Sequence, residues 1–168
     1  MDKEKLEYFR NDVKFTGKHS RYIDALWEQN TIKNSYIRTL YELYGIAAIL
    51  GLRTKTKKQV DNSEGVRNLQ SAQLSAYRPV LKTIMVTVLL LDETSGLTKE
   101  ERINRAFRGP TSQEELEADM ELFNSYVRGG IEHLYNELVE RPLSIDDEYT
   151  DIRVGNLIAL LENNEICL

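Results

Sequence analysis

The sequence predicts an all-α fold, a compact single-domain bundle of about six to seven helices with one long helix in its C-terminal half. Three observations predict it. Strong helix formers such as Leu, Glu and Lys are plentiful, while 168 residues hold only three prolines and nine glycines. Apolar residues recur at helical spacing along most of the chain. Nowhere do successive β-branched runs alternate with turn signals. The chain reads as one domain in which residues 1–30 form an N-terminal helical extension, 31–142 the core and 143–168 a C-terminal helix.

In order, residues 3–10 predict a short helix that docks through Leu6 and Phe9. A second helix, from about Ser20 to Gln29, turns Tyr22, Ile23, Leu26 and Trp27 inward, with Trp27 as a core anchor. From Ile32 to Leu50 apolar residues occupy two sides of a helix, which places it in the middle of the fold. Its small residues Gly45, Ala47, Ala48 and Gly51 predict close approach of another helix, and Gly51 is a candidate terminator through positive φ. The segment LRTKTKKQVDNSEG reads as a polar connection to about Gly65.

A further helix is expected from near Val66, carrying Leu69, Ala72, Leu74 and Tyr77 to a break or kink at Pro79. Residues 80–91 are dense enough in apolar side chains for a buried helix; a strand over 83–91 is the rival, but alone it leaves its backbone groups unpaired. Thr98 with Glu101 and Ser112 with Glu115 have capping-box spacing and mark two helix starts. The first helix ends at Gly109 and Pro110, and the second runs to about Glu140. Within the long helix Leu116, Met120, Phe123, Val127, Gly130, Leu134 and Leu138 form an inward seam. Gly130 is therefore expected where a second segment approaches too closely for a Cβ, while Gly129, about 100° around the axis, is expected to tolerate alanine better. The last helix, from about Asp151 to Asn163, is expected to face inward with Val154, Leu157, Ile158 and Leu161, leaving Arg153, Asn156 and Glu162 outside.

Motifs for chemistry are sparse. His19 and His133 are the two imidazoles, and neither stands in a metal-ligand or nucleophile motif. His133 and Glu137 are four apart on one helix face, which suits a surface hydrogen bond or ion pair about as well as a general-base arrangement. Phosphate-cradling and dinucleotide glycine patterns are missing. Asp146, Asp147, Glu148 and Asp151 lack the calcium-loop pattern and read as a solvated acidic loop. The carboxylates Glu114, Glu115, Glu117, Asp119 and Glu121 sit in early turns of the long helix, where its dipole favours them. No cofactor or metal is expected, and Cys167, the single cysteine, provides no disulfide framework. The start of the chain lacks a signal-peptide core, and the apolar run Ile84–Leu91 falls well short of the roughly 20 residues that span a bilayer. A cytoplasmic protein with no membrane association is the expectation.

The net charge of -5 conceals an asymmetry: residues 1–60 hold 12 Lys or Arg against 7 Asp or Glu, and residues 61–168 hold 10 against 20. Arg53, Lys55, Lys57 and Lys58 place four cations in six residues, a candidate phosphate-contacting loop that Lys18, Arg21, Lys33 and Arg38 would extend. A polar loop kept soluble by lysines is the competing explanation.

The elements YELYGIAAILGLRTKTK and FNSYVRGGIEHLYNEL resemble the small proteins encoded beside bacterial DNA phosphorothioate modification and restriction systems, the Dnd system-associated protein 4 family. Its A-A-x-x-G element falls on Ala47, Ala48 and Gly51, and its F-x-x-Y-x-x-G-G-[LI] element on Phe123, Tyr126, Gly129, Gly130 and Ile131. The resemblance covers roughly residues 36–139. It implies an accessory component of an antiphage DNA-defence system, without defining its molecular activity. The sequence thus predicts a non-catalytic accessory or assembly subunit whose partner is another protein of that system, with oligomerisation open. Direct DNA binding through the basic loop and a metal-dependent nuclease are the alternatives.

Overall fold

A computed structural model describes residues 6–27, 37–140 and 152–162. Its described elements are β1 (Val13–Thr16), α1 (Gly17–Leu26), α2 (Leu40–Arg53), β2 (Val66–Leu69), α3 (Ser71–Leu91), a 3-10 turn (Glu93–Ser95), α4 (Lys99–Arg108), α5 (Gln113–Leu138) and α6 (Ile152–Glu162). Among the described residues the fold is an all-α bundle of six helices completed by a two-stranded antiparallel ribbon, with the long helix α5 in the C-terminal half. α5 packs on α2, α1 and α6, while α3 packs on α2 and α4.

The centre of the bundle is the seam between α2 and α5. A Cβ on Gly51 would lie 1.9 Å from the Tyr126 carbonyl oxygen, and one on Gly130 would lie 1.9 Å from that of Ala47. Each glycine therefore faces the other helix's backbone, the close approach expected of both. Gly51 does not end α2, which continues to Arg53; the left-handed residue is Lys55, with φ 52°. Gly129 corrects the expectation of tolerance, since its Cβ would meet the Thr56 carbonyl oxygen at 2.0 Å. That contact comes from the loop after α2, a neighbour with no helical periodicity to announce it. Phe123 and Tyr126 are both buried beside the seam.

The chain start also departs from expectation. The described residues Leu6–Arg10 form a turn in place of a helix, and Phe9 adopts φ 63°. That turn drives Phe9 into the core, where its ring meets Phe123 edge-on at 5.1 Å. β1 alternates as a half-buried strand should, with Val13 and Phe15 inward, and pairs Val13 with Leu69. The region expected to begin a helix at Val66 is thus β2 first. The helix follows at Ser71, whose N–H donates to Asp12 Oδ1 at 2.7 Å.

α3 runs unbroken through Pro79, against the expected break. An internal proline costs about 3 kcal/mol. Burial of Leu74, Leu81, Ile84, Met85 and Val88 along the same helix offsets it. Pro79 itself and Ser75, whose carbonyl it cannot bond, are exposed to solvent.

α1 begins at Gly17 and ends at Leu26; Trp27 caps it, half-buried against the core, and its indole N–H donates to Arg38 O at 3.1 Å. Thr39 caps α2, so the expected start near Ile32 is too early at Ile37–Thr39, and residues 32–36 lie outside the described ones. The Thr98–Glu101 capping box is complete. At α5 Ser112 caps the Glu115 N–H, while the Glu115 carboxylate reaches one residue further back to the Thr111 N–H at 2.7 Å.

On α6 the four apolar residues expected inward are exposed and Asn156, expected outside, is buried; Glu162 is outside as expected, and the Arg153 side chain lies outside the described ones. Asn156 is buried and donates to Leu138 O at 2.9 Å, and Leu160 is buried beside it in the core. Val154, Leu157, Ile158 and Leu161 are exposed. The hydrogen bond to the carbonyl at the end of α5 holds the polar side chain inward in place of the apolar stripe.

Candidate functional site

The basic loop is built onto α5 by its backbone. Lys55 N–H donates to Leu52 O and Thr56 N–H to Gly51 O, which closes α2. Lys58 N–H then donates to Ser125 O at 3.0 Å, and Arg128 Nε donates to Lys58 O at 2.7 Å. The four expected cations consequently separate into two pairs.

Lys57 and Lys58 turn toward carboxylates. The Lys57 ammonium donates to Thr94 Oγ1, stands 3.5 Å from Asp92 Oδ1, and lies over the Tyr126 ring at 5.5 Å from its centroid. Asp92 is buried and accepts from Tyr126 Oη and Thr94 Oγ1, each at 2.7 Å. Burial alone would raise its pKa, but these hydrogen bonds and the Lys57 charge hold it below the usual value. Lys58 lies 3.4 Å from Glu132, which also pairs with Lys18 at 2.8 Å and His19 Nε2 at 3.0 Å. Burial acts to raise Glu132, yet the Lys18 and His19 hydrogen bonds outweigh it and lower its pKa. His19 is buried, and desolvation lowers its pKa despite that carboxylate. Asp61 holds the loop's far end by accepting from the Lys18 and Ser63 N–H groups, which depress its carboxyl to about 2. Around these residues lies an open cleft of about 590 Å³.

Arg53 and Lys55 stand elsewhere, on the rim of a groove of about 500 Å³ between the C-terminal halves of α2 and α3. Ile49, Leu52, Thr87, Leu91 and Tyr126 supply its mainly apolar lining, and Glu93 is the one carboxylate on the rim. Ile49 is 50% exposed and Leu91 61%, so the groove opens into an apolar surface and is no internal void. The surface extends along both helices, with Ile46 on α2 and Val80 on α3 also exposed. Sequence periodicity marked α2 as apolar on two sides and residues 80–91 as a buried helix, but it did not reveal that Ile46, Ile49, Val80 and Leu91 would be left open together.

The other expected residues scatter. Arg21 donates to Glu64 O at 3.0 Å, and Arg38 stands at the entry to α2, about 20 Å from Lys55 along the helix. Lys33, Asp146, Asp147, Glu148, Asp151 and Cys167 lie outside the described residues. The acidic stripe of α5 is largely engaged internally. Asp119 is buried between the Tyr8 hydroxyl and Arg105, Glu115 pairs with Arg108, and Glu121 pairs with Arg128. By length and composition α3 is apolar enough to cross a membrane, and 33% of its most apolar window is buried inside the bundle. No family model matches the chain, and comparisons with curated proteins and with solved structures give no match.

Proposed function

We propose that this protein is a non-catalytic assembly subunit of a bacterial DNA-defence system that works by docking macromolecules on its α2–α3 face. The observation that carries the reading is the open groove of Ile49, Leu52, Thr87 and Leu91 beside the exposed Ile46 and Val80, in a chain in which 29% of residues are charged. Contiguous exposed apolar surface on a charged protein marks a surface that a partner covers. The glycine seam behind it gives that face a fixed backing, since α2 meets α5 backbone to backbone. The defence context rests on the resemblance of the Ala47–Gly51 and Phe123–Ile131 elements.

Direct nucleic-acid contact through Arg53, Lys55, Lys57 and Lys58 is the alternative. The carboxylate partners of Lys57 and Lys58 reduce the free positive charge it requires. Co-purification of the full chain from its native host, beside an Ile49→Asp variant, tests the proposal. Recovery of a defence or DNA-processing protein with the parent chain and its loss with the variant are expected. Recovery without any such protein overturns the reading.

A further inference from the structure

The nine most exposed residues of α3, namely Ala72, Gln73, Ser75, Ala76, Pro79, Val80, Thr83, Thr87 and Leu91, are uncharged, while its half-buried Arg78 and Lys82, the latter paired with Glu7, lie on another side of the helix. Six of them, Ala72, Ala76, Val80, Thr83, Thr87 and Leu91, fall within a sector of about 100° on a helix of 3.6 residues per turn. They form a strip about 28 Å long at 1.5 Å per residue. The successive spacings are 4, 4, 3, 4 and 4, an order that reads the same from either end. Size does not: the strip is small at its N-terminal end, β-branched in the middle and large at Leu91.

A strip with symmetric spacing and graded size is complementary to its own reverse. Laid antiparallel on an identical strip, Ala72 opposes the other copy's Leu91, Ala76 opposes Thr87 and Val80 opposes Thr83, so every pair combines a smaller with a larger or equal side chain. A parallel overlay sets Leu91 against Leu91 and Ala72 against Ala72, which crowds one end and leaves the other empty. Charge follows the same rule. Asp12 bonds the N-terminal end of α3, while Arg53 and Lys55, outweighing Glu93, stand at its C-terminal end. Antiparallel pairing brings opposite charges, and opposite ends of the two helix dipoles, together.

We propose that the α3 strip binds a second copy of this chain in a two-fold, antiparallel α3–α3 contact. The inference rests on the assembly reading above and names the first occupant of that face. Ala72 and Ala76 of each copy, being small, would leave the other copy's groove beside Leu91 open, so the pair presents two grooves rimmed by Arg53 and Lys55 for a further partner.

The full chain carrying Cys167→Ser serves for the test. Light scattering behind size exclusion across the micromolar range is expected to give twice the 19.5 kDa chain mass, and Val80→Asp to return it to the single mass with its helical circular dichroism retained. Burial of two such carboxylates near the axis weakens pairing by a factor on the order of 100 or more. Chains carrying Ala76→Cys mixed with chains carrying Thr87→Cys are expected to form an oxidised cross-link that neither variant forms alone. Each of the following overturns the proposal: a single-mass parent chain, a dimer indifferent to Val80→Asp, or self-cross-linking of Ala76→Cys, which signals parallel packing. Co-sedimentation of a single-mass chain with phosphatidylcholine–phosphatidylglycerol vesicles, lost in Val80→Asp, overturns it in favour of a lipid surface. A single-mass chain that still recovers a defence protein from its host removes the pairing and keeps the assembly reading; a dimer that recovers none does the opposite.

Discussion

The two sides of α2 are packed by opposite rules. Toward α5, Gly51 and Gly130 bring backbone against backbone, with no space for a Cβ on either helix. Toward α3, Gly45 meets side chains alone, Ile84 Cδ1 at 3.2 Å and Tyr77 Cε1 at 3.3 Å, and one turn further on the helices part into the groove. A backbone contact has nothing that can rotate away, whereas a side-chain contact can adjust. The same helix thereby supplies a fixed scaffold on one side and an adaptable, exposed surface on the other.

Alanine substitutions sharpen that contrast. Gly51→Ala and Gly130→Ala are each expected to destabilise by about 3 kcal/mol or more, because overpacking here has no rotamer to relieve it. Denaturant unfolding measures this, and a loss below about 1 kcal/mol in both would break the comparison. Gly129→Ala is expected to cost roughly 2 kcal/mol, since the opposing Thr56 carbonyl belongs to a loop that can shift. Gly45→Ala lies within about 1 kcal/mol of the parent chain, the helix-propensity gain offsetting a small displacement of Ile84 and Tyr77. Its calorimetric melting would contradict the account if it fell as far as that of Gly130→Ala. On the open face, Ile49→Asp is expected to change stability by no more than about 0.5 kcal/mol while removing partner recovery.

The smallest effect is electrostatic and sits behind the loop. His19 has its pKa lowered from 6.5 in the fold, so the stability it contributes is complete above 6.5 and is lost as the pH falls through its folded value. Glu132, lowered from 4.5, adds a second loss on further acidification, below that value. Stability measured against pH should decline less between these two values in His19→Gln than in the parent chain. Parallel curves would remove His19 from the acid response.

What the sequence made legible follows from range. The Gly130 seam was readable because Phe123, Val127, Gly130, Leu134 and Leu138 repeat on one helix. Both capping sites were readable because their partners lie three residues apart. Gly129 was misread because its neighbour, Thr56, is brought to it by tertiary folding. The ribbon was missed because VKFT and VRNL are four residues each and pair across about fifty residues of intervening chain. Phe9 enters the core from a positive-φ turn that no periodicity signals. Of the candidate site, the loop cations were visible, but their division was not. Lys57 meets Asp92 and Lys58 meets Glu132 through contacts 35 and 74 residues away, while Arg53 and Lys55 are left on the groove. The inward place of Asn156 on α6 was missed for the same kind of reason, its bond to the Leu138 carbonyl 18 residues away.

Hydrogen–deuterium exchange of the free chain, compared with the complex recovered from its host, tests most directly whether one side of α2 is scaffold and the other is interface. The account predicts new protection confined to the groove at the C-terminal ends of α2, through Lys55, and of α3, with the α5 amides around Gly129 and Gly130 equally slow in both states. Protection gained on α4 or α6 with α3 unchanged, or exchange at the Gly129–Gly130 seam as fast as in the open loops, would contradict it.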